Sequence, residues 1–209
     1  MQEIKDKPVQ LFLDELAGKQ ATPGGGSSAA LMGAQAAALV SMVCNLTLGK
    51  PKYAAVQQQI QALLVESEAL RAELTAMIKA DVDVFNKVMA SYALPKNSDA
   101  EKAERSEQIQ AILQEATRVP LACAAACAKA IALSRIAAEI GNLGVISDAG
   151  VAAITAYGGL KSAALNVYVN AAGLKDRIFA EAKLAELETL LTGAEAEAEV
   201  VYQLVKGKL

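Results

Sequence analysis

Three consecutive glycines, Gly24, Gly25 and Gly26, lead through Ser27 into a long uncharged segment rich in alanine. Because glycine has no Cβ, a ligand can approach the backbone closely at such a point. The first amide N–H groups of a following helix lack partners inside that helix, so they can face the ligand. No Gly-Lys-Ser/Thr follows, and a helix rather than a strand is predicted before the glycines, so neither a P-loop nor a dinucleotide fingerprint is indicated. The pattern predicts a small-molecule site; a flexible turn between two helices is the alternative.

A second glycine-bounded turn, residues 141–150, carries Asn142 and Asp148 ahead of another predicted helix. At a helix start the Asp148 carboxylate would complement the helix dipole and accept from free amides, so a structural cap explains it fully. Asn142 is equally suited to a turn. Both residues are also candidates for ligand binding or catalysis at a site formed by helix N-termini. The sequence leaves the structural and the functional interpretation open.

Polar residues continue along one face of that predicted helix. They stand at spacings of seven, four and four, at Thr155, Ser162, Asn166 and Asn170, among apolar or small neighbours. Buried amides are costly when unpaired, so this stripe needs partners. Those partners are either a neighbouring helix or a polar ligand.

Asp81 lies in a predicted helix, beside the face that carries Lys79, Asp83 and Lys87. Those three charges share one face and predict a solvated ladder of ion pairs. Asp81 points away from the ladder toward an apolar flank, where a carboxylate is either paired or functional. Four cations are placed in or near loops beside helix ends, and for each one alone ordinary solvation is explanation enough: Lys50, Lys52, Lys96 and Arg105.

The chain contains no histidine, which constrains its chemistry. Cys123 and Cys127 are four residues apart and do not form a CxxC pair, so we expect no zinc or other metal site. Ser–His and Cys–His nucleophile pairs are excluded as well. General acid–base catalysis must therefore fall to carboxylates, lysine, tyrosine or bound water.

Composition predicts an all-α chain. Its 209 residues are expected to form a single domain over residues 1–209, a bundle of long antiparallel helices with alanine-rich core helices that also dimerise. A net charge of −3 and an aromatic content of 4% argue against a nucleic-acid partner. An odd number of cysteines, with no signal peptide evident, favours the cytoplasm.

The uncharged run over residues 20–49 is long enough to cross a membrane. Its apolar residues are mostly alanine, and no basic cluster flanks one end, so a buried central helix is the better interpretation and no membrane contact is expected. Proline, glycine and capping residues divide the chain into seven predicted helices: 8–18, 27–48, 51–92, 98–119, 120–140, 147–173 and 176–206. Pro120 either kinks the chain or restarts a helix, and Ser147 or Asp148 is expected to cap the sixth.

The chain resembles the cyclodeaminase/cyclohydrolase family of folate enzymes. The resemblance lies in PGGGSSAALMGAQAAALVSMVCNLTLGKPKY, ADVDVFNKVMASYALPKN and GNLGVISDAGVAAITAYGGLKSAALNVYVN, which occur in the family's order over most of the length. Ser28 stands where the family has a small apolar residue. The resemblance implies an all-helical homodimer that binds a folate near the subunit interface. It implies hydrolysis of 5,10-methenyltetrahydrofolate to 10-formyltetrahydrofolate as the activity, with the folate as substrate and no cofactor.

The resemblance also implies roles for matching residues. Asp148 would activate water and Asp81 would support it electrostatically. The glycine segment Gly24–Ser27 would line the site, and the pterin or the water would be held by Asn142, Asn166 and Asn170. The glutamate tail would be met by Lys50, Lys52, Lys96 or Arg105.

Two other functions remain open from the residues. A cyclodeaminase of the same family would release ammonia from a formimino substrate; the lack of a transferase region favours the cyclohydrolase over it. A helical scaffold without catalysis would explain the alanine-rich helices, but it would not explain the three glycines or the polar stripe. The sequence does not assign the catalytic base between the two aspartates, the preferred tail length, or assembly beyond a dimer.

Overall fold

The chain folds into helices joined by short turns, with no strand among residues 3–209, which the computed structural model describes. The predicted all-α class is confirmed. The helices are α1 Val9–Leu16, α2 Gly25–Asn45, α3 Gln57–Tyr92, α4 Asp99–Ile140, α5 Ile146–Ala172, α6 Arg177–Leu191 and α7 Ala194–Lys206. Three short 3-10 turns lie at Ile4–Asp6, Pro51–Val56 and Leu143–Val145.

Helices α2 to α5 form the central bundle. Each of them packs on the next in the chain, and α5 returns to pack on α2, so the four close a ring. The connections between them are short, which makes consecutive helices antiparallel. The last two helices pack outside this ring, α7 on α5 and α4, and α6 on the same pair.

Small side chains let the central helices approach one another closely. Ala29, Ala36 and Ala37 on α2 are fully buried. A Cβ added to Gly33 would lie 2.8 Å from Sγ of Cys127 on α4, closer than real contacts allow. Helix α2 is therefore the buried central helix that the uncharged run predicted.

Two predicted boundaries are wrong. Pro51 opens a 3-10 turn rather than the third helix, and α3 begins six residues later at Gln57. The single helix predicted over 176–206 is two helices, because Gly193 adopts φ 81° and breaks it between α6 and α7. A left-handed conformation is inexpensive for glycine alone, so the chain can turn sharply there.

Pro120 lies inside α4, and the helix continues through it from Asp99 to Ile140. Of the two expectations, the restart of a new helix is wrong. Proline has no N–H to offer the carbonyl four residues earlier, which is that of Ala116. Asn170 on α5 supplies the missing donor, with Nδ2 2.6 Å from the Ala116 oxygen. The predicted capping box at the start of α4 is confirmed, with both reciprocal bonds between Ser98 and Glu101 present.

Part of the apolar helix surface is not covered by this chain. Judged by length and composition alone, three segments are long and apolar enough to cross a membrane: Gly25–Asn45, Asp99–Ile140 and Leu143–Ala172. Their apolar windows are 61%, 61% and 44% buried within the bundle. On α5 the exposed residues include Val151, Ile154, Leu165 and Val169, which recur at helical spacing and form one stripe, here called the α5 stripe.

Candidate active site

The glycine segment meets Asp81 where α2 begins beside α3. Ser27 is fully buried, and its Oγ donates to Oδ2 of Asp81 over 2.8 Å. A Cβ added to Gly26 would lie 2.0 Å from Oδ1 of the same carboxylate. The glycine is thus required for a close approach, although the group that approaches it is the chain's own carboxylate.

Burial raises the pKa of the Asp81 carboxyl above its usual value of 3.8. The hydroxyl and the backbone amide of Ser27 act in the opposite direction, because both donate hydrogen bonds to the ionised form. No salt bridge neutralises this carboxylate among the described residues. A partly desolvated carboxyl with a raised pKa holds a proton more readily than an exposed one, which suits it to proton transfer.

A cavity of about 10 Å³ lies against this carboxyl, room for roughly one water molecule. It is lined by Gly26, Ala30, Met77, Asp81, Val119, Pro120, Cys123 and Ala163. Asn166 closes the neighbouring side, since a Cβ on Gly25 would lie 3.8 Å from its Nδ2. The structure therefore brings together Gly25, Gly26, Ser27, Asp81 and Asn166, which we call the Asp81 cluster.

Both α5 asparagines of the predicted set use their amide nitrogens within the protein. Nδ2 of Asn166 donates to the carbonyl of Ser162 over 3.0 Å, one turn earlier in the same helix. Nδ2 of Asn170 donates to Ala116. The carbonyl oxygen and the second N–H of each amide remain for a ligand, so the polar stripe serves helix packing in part.

A second group of polar residues surrounds the turn between α4 and α5. The backbone N–H of Asn142 donates to Oγ1 of Thr47 over 2.9 Å, and the side-chain Nδ2 of Asn142 donates to the carbonyl of Leu46 over 2.8 Å. Its Oδ1 accepts from the Gly144 amide over 3.0 Å and from the Tyr53 hydroxyl over 3.3 Å. Asn142 thus holds the turn in place.

Sequence reasoning missed Thr47 and Tyr53. The Tyr53 hydroxyl also accepts from the Leu143 amide over 2.9 Å, so one side chain contacts two residues of the turn. These partners are about ninety positions apart in the chain. No local pattern links them, and the available signal was their place in the same family-like string as the glycines.

Asp148 lies near this turn but does not cap the helix. Helix α5 begins at Ile146 after Val145, no side chain caps it, and Asp148 stands in its first turn. The expectation of a cap at Ser147 or Asp148 is therefore wrong. Asp148 is half-buried, and its side chain makes no hydrogen bond or ion pair with residues 3–209. Its carboxylate is available to a ligand and is favoured there by the helix dipole.

The predicted site residues therefore fall at two ends of the bundle. Asp148 and Asn166 are eighteen residues apart on one straight helix, which is about 27 Å at 1.5 Å per residue. We call Thr47, Tyr53, Asn142 and Asp148 the Asp148 cluster. Among residues 3–209, no hydrogen bond joins a member of one cluster to a member of the other.

The predicted cations divide in the same way. Lys50 and Lys52 are exposed beside the Asp148 cluster, and Nζ of Lys52 lies 5.7 Å from the Tyr53 ring centroid. Lys96 lies in the turn between α3 and α4, fifteen residues after Asp81, and Arg105 lies in the second turn of α4. Nη2 of Arg105 donates to the carbonyl of Tyr92 over 2.9 Å.

Metal ligands and thiols are the remaining side chains that could take part in catalysis. The residues that the structure describes hold no group of three or more His, Cys, Asp or Glu side chains able to bind a metal ion. The three cysteines are buried and unpaired. Burial raises the pKa of Cys44 to about 11, and a hydrogen bond with Cys123 is the main cause of a raised pKa at Cys127. None of them is poised as a nucleophile.

Comparison with known proteins shows which family this helical chain belongs to. The family model described as formiminotransferase-cyclodeaminase matches residues 8–189, which include both clusters. The chain belongs to this family. The resemblance inferred from the glycine and asparagine motifs is thereby confirmed.

The named relatives divide between two activities. The chain is 56% identical over 204 residues to the methenyltetrahydrofolate cyclohydrolase of Methylorubrum extorquens, covering 98% of each chain. It is 32% identical over 200 residues to the formimidoyltransferase-cyclodeaminase of Rattus norvegicus, covering 96% of this chain and 37% of the rat enzyme. The solved formiminotetrahydrofolate cyclodeaminase of Thermotoga maritima superposes with a TM-score of 0.83 at 31% identity, covering 99% of this chain and 98% of that one.

The Thermotoga structure removes one argument made from the sequence. That protein is called a cyclodeaminase, yet this chain covers nearly all of it, so it carries no additional transferase region of any size. The lack of such a region therefore does not separate cyclohydrolase from cyclodeaminase. Sequence identity, and not chain length, carries the distinction.

Proposed function

We propose that this chain is a methenyltetrahydrofolate cyclohydrolase, which hydrolyses 5,10-methenyltetrahydrofolate to 10-formyltetrahydrofolate. The observation that carries the proposal is 56% identity, over 98% of both chains, to an enzyme of that name. The family members named for cyclodeaminase activity stand at 31–32% identity in the rat and Thermotoga comparisons. The difference favours the cyclohydrolase activity.

The chemistry suits a site without histidine. The substrate carries a delocalised cation across its N5–C–N10 bridge, so the bridge carbon is already electrophilic. The enzyme must orient a water molecule, accept its proton and hold the ring system. Carboxylates and amides are sufficient for these tasks, and Asp81, Asp148, Asn142 and Asn166 supply them. We therefore assign no metal and no cofactor to the reaction.

The separation of the two clusters indicates how a complete site is built. Two subunits related by a two-fold axis across their helices lie antiparallel, so each Asp81 cluster is brought toward the other subunit's Asp148 cluster. The α5 stripe supplies an apolar face for such contact, with Leu165 67% and Val169 74% exposed. An exposed apolar stripe of this length is typical of a protein interface. We propose a homodimer with two sites, each made from both subunits.

A homodimer also accounts for the apolar surface without a membrane. The apolar window within Leu143–Ala172 is the least buried of the three, and the α5 stripe lies in that segment. Contact with a second copy removes this surface from water. We place the enzyme in the cytoplasm, where its three unpaired thiols stay reduced. Purification without detergent as a dimer supports this assignment, and partitioning into detergent contradicts it.

The first experiment follows the loss of methenyltetrahydrofolate absorbance with purified protein and a chelator present. We expect loss well above spontaneous hydrolysis, with 10-formyltetrahydrofolate as the product. The Asp81→Asn variant should lose most of this activity. The matched control, Asp83→Asn, removes an exposed carboxylate paired with Lys79 and should retain it. Ammonia release from a formimino substrate, without the hydrolysis, would establish the cyclodeaminase instead.

A second experiment tests the shared site with two inactive variants. Asp81→Asn and Asp148→Asn homodimers are each expected to be nearly inactive. When the two are unfolded together and refolded, half of the dimers are hybrids with one intact site of two, so about a quarter of wild-type activity should return. No recovery in hybrids shown to form would place each site within one subunit.

A further inference from the structure

Ser27 has two acceptors for one proton. Its Oγ lies 2.8 Å from Oδ2 of Asp81 and 3.3 Å from the backbone carbonyl oxygen of Ile78. A hydroxyl carries a single hydrogen and two lone pairs, so it can donate to only one of them at a time. The position of that hydrogen is therefore tied to the state of the carboxyl.

Both protonation states of Asp81 leave this arrangement satisfied. When the carboxylate is ionised, it accepts from Ser27. When it is protonated, it can donate to Oγ of Ser27, and Ser27 turns its hydrogen to the carbonyl of Ile78. Since Ser27 is fully buried, a hydroxyl with one acceptor would be left unpaired in one of the two states. The second acceptor removes that penalty.

The surroundings isolate this exchange from other charges. Against Asp81, α2 presents Gly26 and Ala30, α4 presents Val119, Pro120 and Cys123, and α5 presents Ala163. Among these lining residues, Cys123 is the titratable group. Lys79 and Asp83 on the same helix are exposed and pair with each other. The Ser27 hydroxyl is therefore the polar group that reorients its hydrogen when Asp81 gains or loses a proton.

We propose that Ser27 is a positioning residue that switches its hydrogen between Asp81 and the Ile78 carbonyl, so that Asp81 can take up and return a proton during turnover. The reaction part of this proposal rests on the proposed function. As the water oxygen bonds to the bridge carbon, Asp81 takes one proton from that water. As the carbon–N5 bond breaks, Asp81 returns it to N5, and the remaining hydroxyl proton leaves to solvent as the formyl carbonyl forms.

The switch assigns the proton-transferring carboxylate. The Asp81 carboxyl has a partner suited to both of its states, whereas the Asp148 side chain has no hydrogen-bonding partner within the described residues. The assignment reverses the roles that the family resemblance implied for the two aspartates. Asp148 then orients the water or stabilises the substrate cation from the helix start.

The test measures the Asp81 pKa directly by ¹³C NMR titration of carboxyl-labelled aspartate, with Asp81→Asn used to assign the signal. Removing the hydroxyl in Ser27→Ala takes a charge-assisted bond from the ionised form and a weaker neutral bond from the protonated form. The pKa of Asp81 should therefore rise, and its proton affinity should increase by a factor of about ten. Ser41→Ala, which removes another buried α2 serine that bonds Ser67, should leave it unchanged.

Two further variants keep the test decisive. Ser27→Thr retains a hydroxyl and should keep the proton affinity of Asp81 within about twofold of wild type. Ser27→Cys is close in size but a weak donor, and it carries the test if Ser27→Ala does not fold. An unchanged Asp81 pKa in both donor-poor variants would overturn the proposal, even if their stability fell.

The kinetic arm separates this proposal from the proposed function. The acidic limb of the rate–pH profile should move with the Asp81 pKa in each Ser27 variant, because the reaction needs the ionised form. If the titration shifts and the wild type does not hydrolyse methenyltetrahydrofolate, the switch stands and the proposed function fails. If hydrolysis occurs and its pH profile ignores the measured shift, the switch has no role in turnover.

Discussion

Nδ2 of Asn170 donates a 2.6 Å hydrogen bond to the carbonyl oxygen of Ala116, the one that Pro120 cannot serve. A proline in a helix interior normally kinks or breaks the helix, because it removes a hydrogen bond and crowds the preceding turn. Here a side chain from α5 restores the missing bond. The pairing couples α4 and α5 beside the cavity at Asp81, which Pro120 also lines.

This pairing predicts a strong coupling in a double-mutant cycle. Asn170→Ala leaves the buried Ala116 carbonyl without its donor and should lower the free energy of unfolding by about 1–3 kcal/mol. In a Pro120→Ala background the new amide serves that carbonyl, so the same substitution should cost much less. Urea unfolding of the four proteins measures the coupling, expected to be at least about 1 kcal/mol. Asn166→Ala, whose partner is Ser162, should show no such coupling to Pro120.

Gly26→Ala should displace the Asp81 carboxylate. The added Cβ would lie 2.0 Å from Oδ1, so the carboxylate must move and its bond to Ser27 must lengthen. We expect hydrolysis to fall by about a hundredfold and the free energy of unfolding by about 1–3 kcal/mol. Enzyme assays and urea melts check both. In Gly24→Ala the nearest atom is the Ala21 carbonyl oxygen at 3.5 Å, so stability should change by less than about 0.5 kcal/mol.

Asp81→Asn should stabilise the fold at neutral pH. Because the pKa of Asp81 is raised in the folded state, this carboxyl stabilises the fold while protonated, and that contribution is lost as the pH rises through the folded pKa. At pH 7 the raised pKa of this partly desolvated carboxyl makes the wild-type fold less stable, and the asparagine variant has no carboxyl to bear that cost. The variant should melt higher than wild type at pH 7, and the gain should shrink as the pH approaches 3.8. Thermal melts across this range test it; a gain independent of pH would contradict it.

Tyr53→Phe should loosen the turn between α4 and α5. The substitution removes the acceptor of the Leu143 amide and one donor to Asn142. Leu143 is partly exposed, so water replaces the lost partner, and we expect a loss of about 0.5–1.5 kcal/mol. Hydrogen exchange at the Leu143 amide should accelerate. Tyr168→Phe, which removes a surface bond to Glu188, serves as the control and should leave that amide unchanged.

The three cysteines should resist modification in the folded protein. All are buried, and the pKa values of Cys44 and Cys127 are raised, so little thiolate is available. Titration with a thiol reagent should give slow reaction in native buffer and three fast equivalents in denaturant. Fast reaction of one thiol in native protein would place it at an exposed position.

The sequence by itself determined the helical class and most helix ends. Alanine content, the capping box at Ser98 and Glu101, and glycine or proline at the boundaries act through neighbours a few residues away, which a linear pattern contains. The break at Gly193 was missed because many glycines remain inside helices, and a left-handed conformation is visible only in the folded backbone. Asn170, fifty residues away, supplies the donor that Pro120 lacks, so local rules could not choose between a kink and the restart that the fold rules out.

For the site, the residue types were readable from the sequence and their grouping was not. The glycine segment and Asp81 were both predicted, but their contact joins residues fifty-four positions apart and depends on how α2 packs against α3. Asp148 and Asn166 share a helix and a motif, yet that same helix holds them about 27 Å apart. Sequence patterns record which residues lie on one face, whereas distance along a rigid helix and the antiparallel packing of its neighbours decide which of them can touch one ligand.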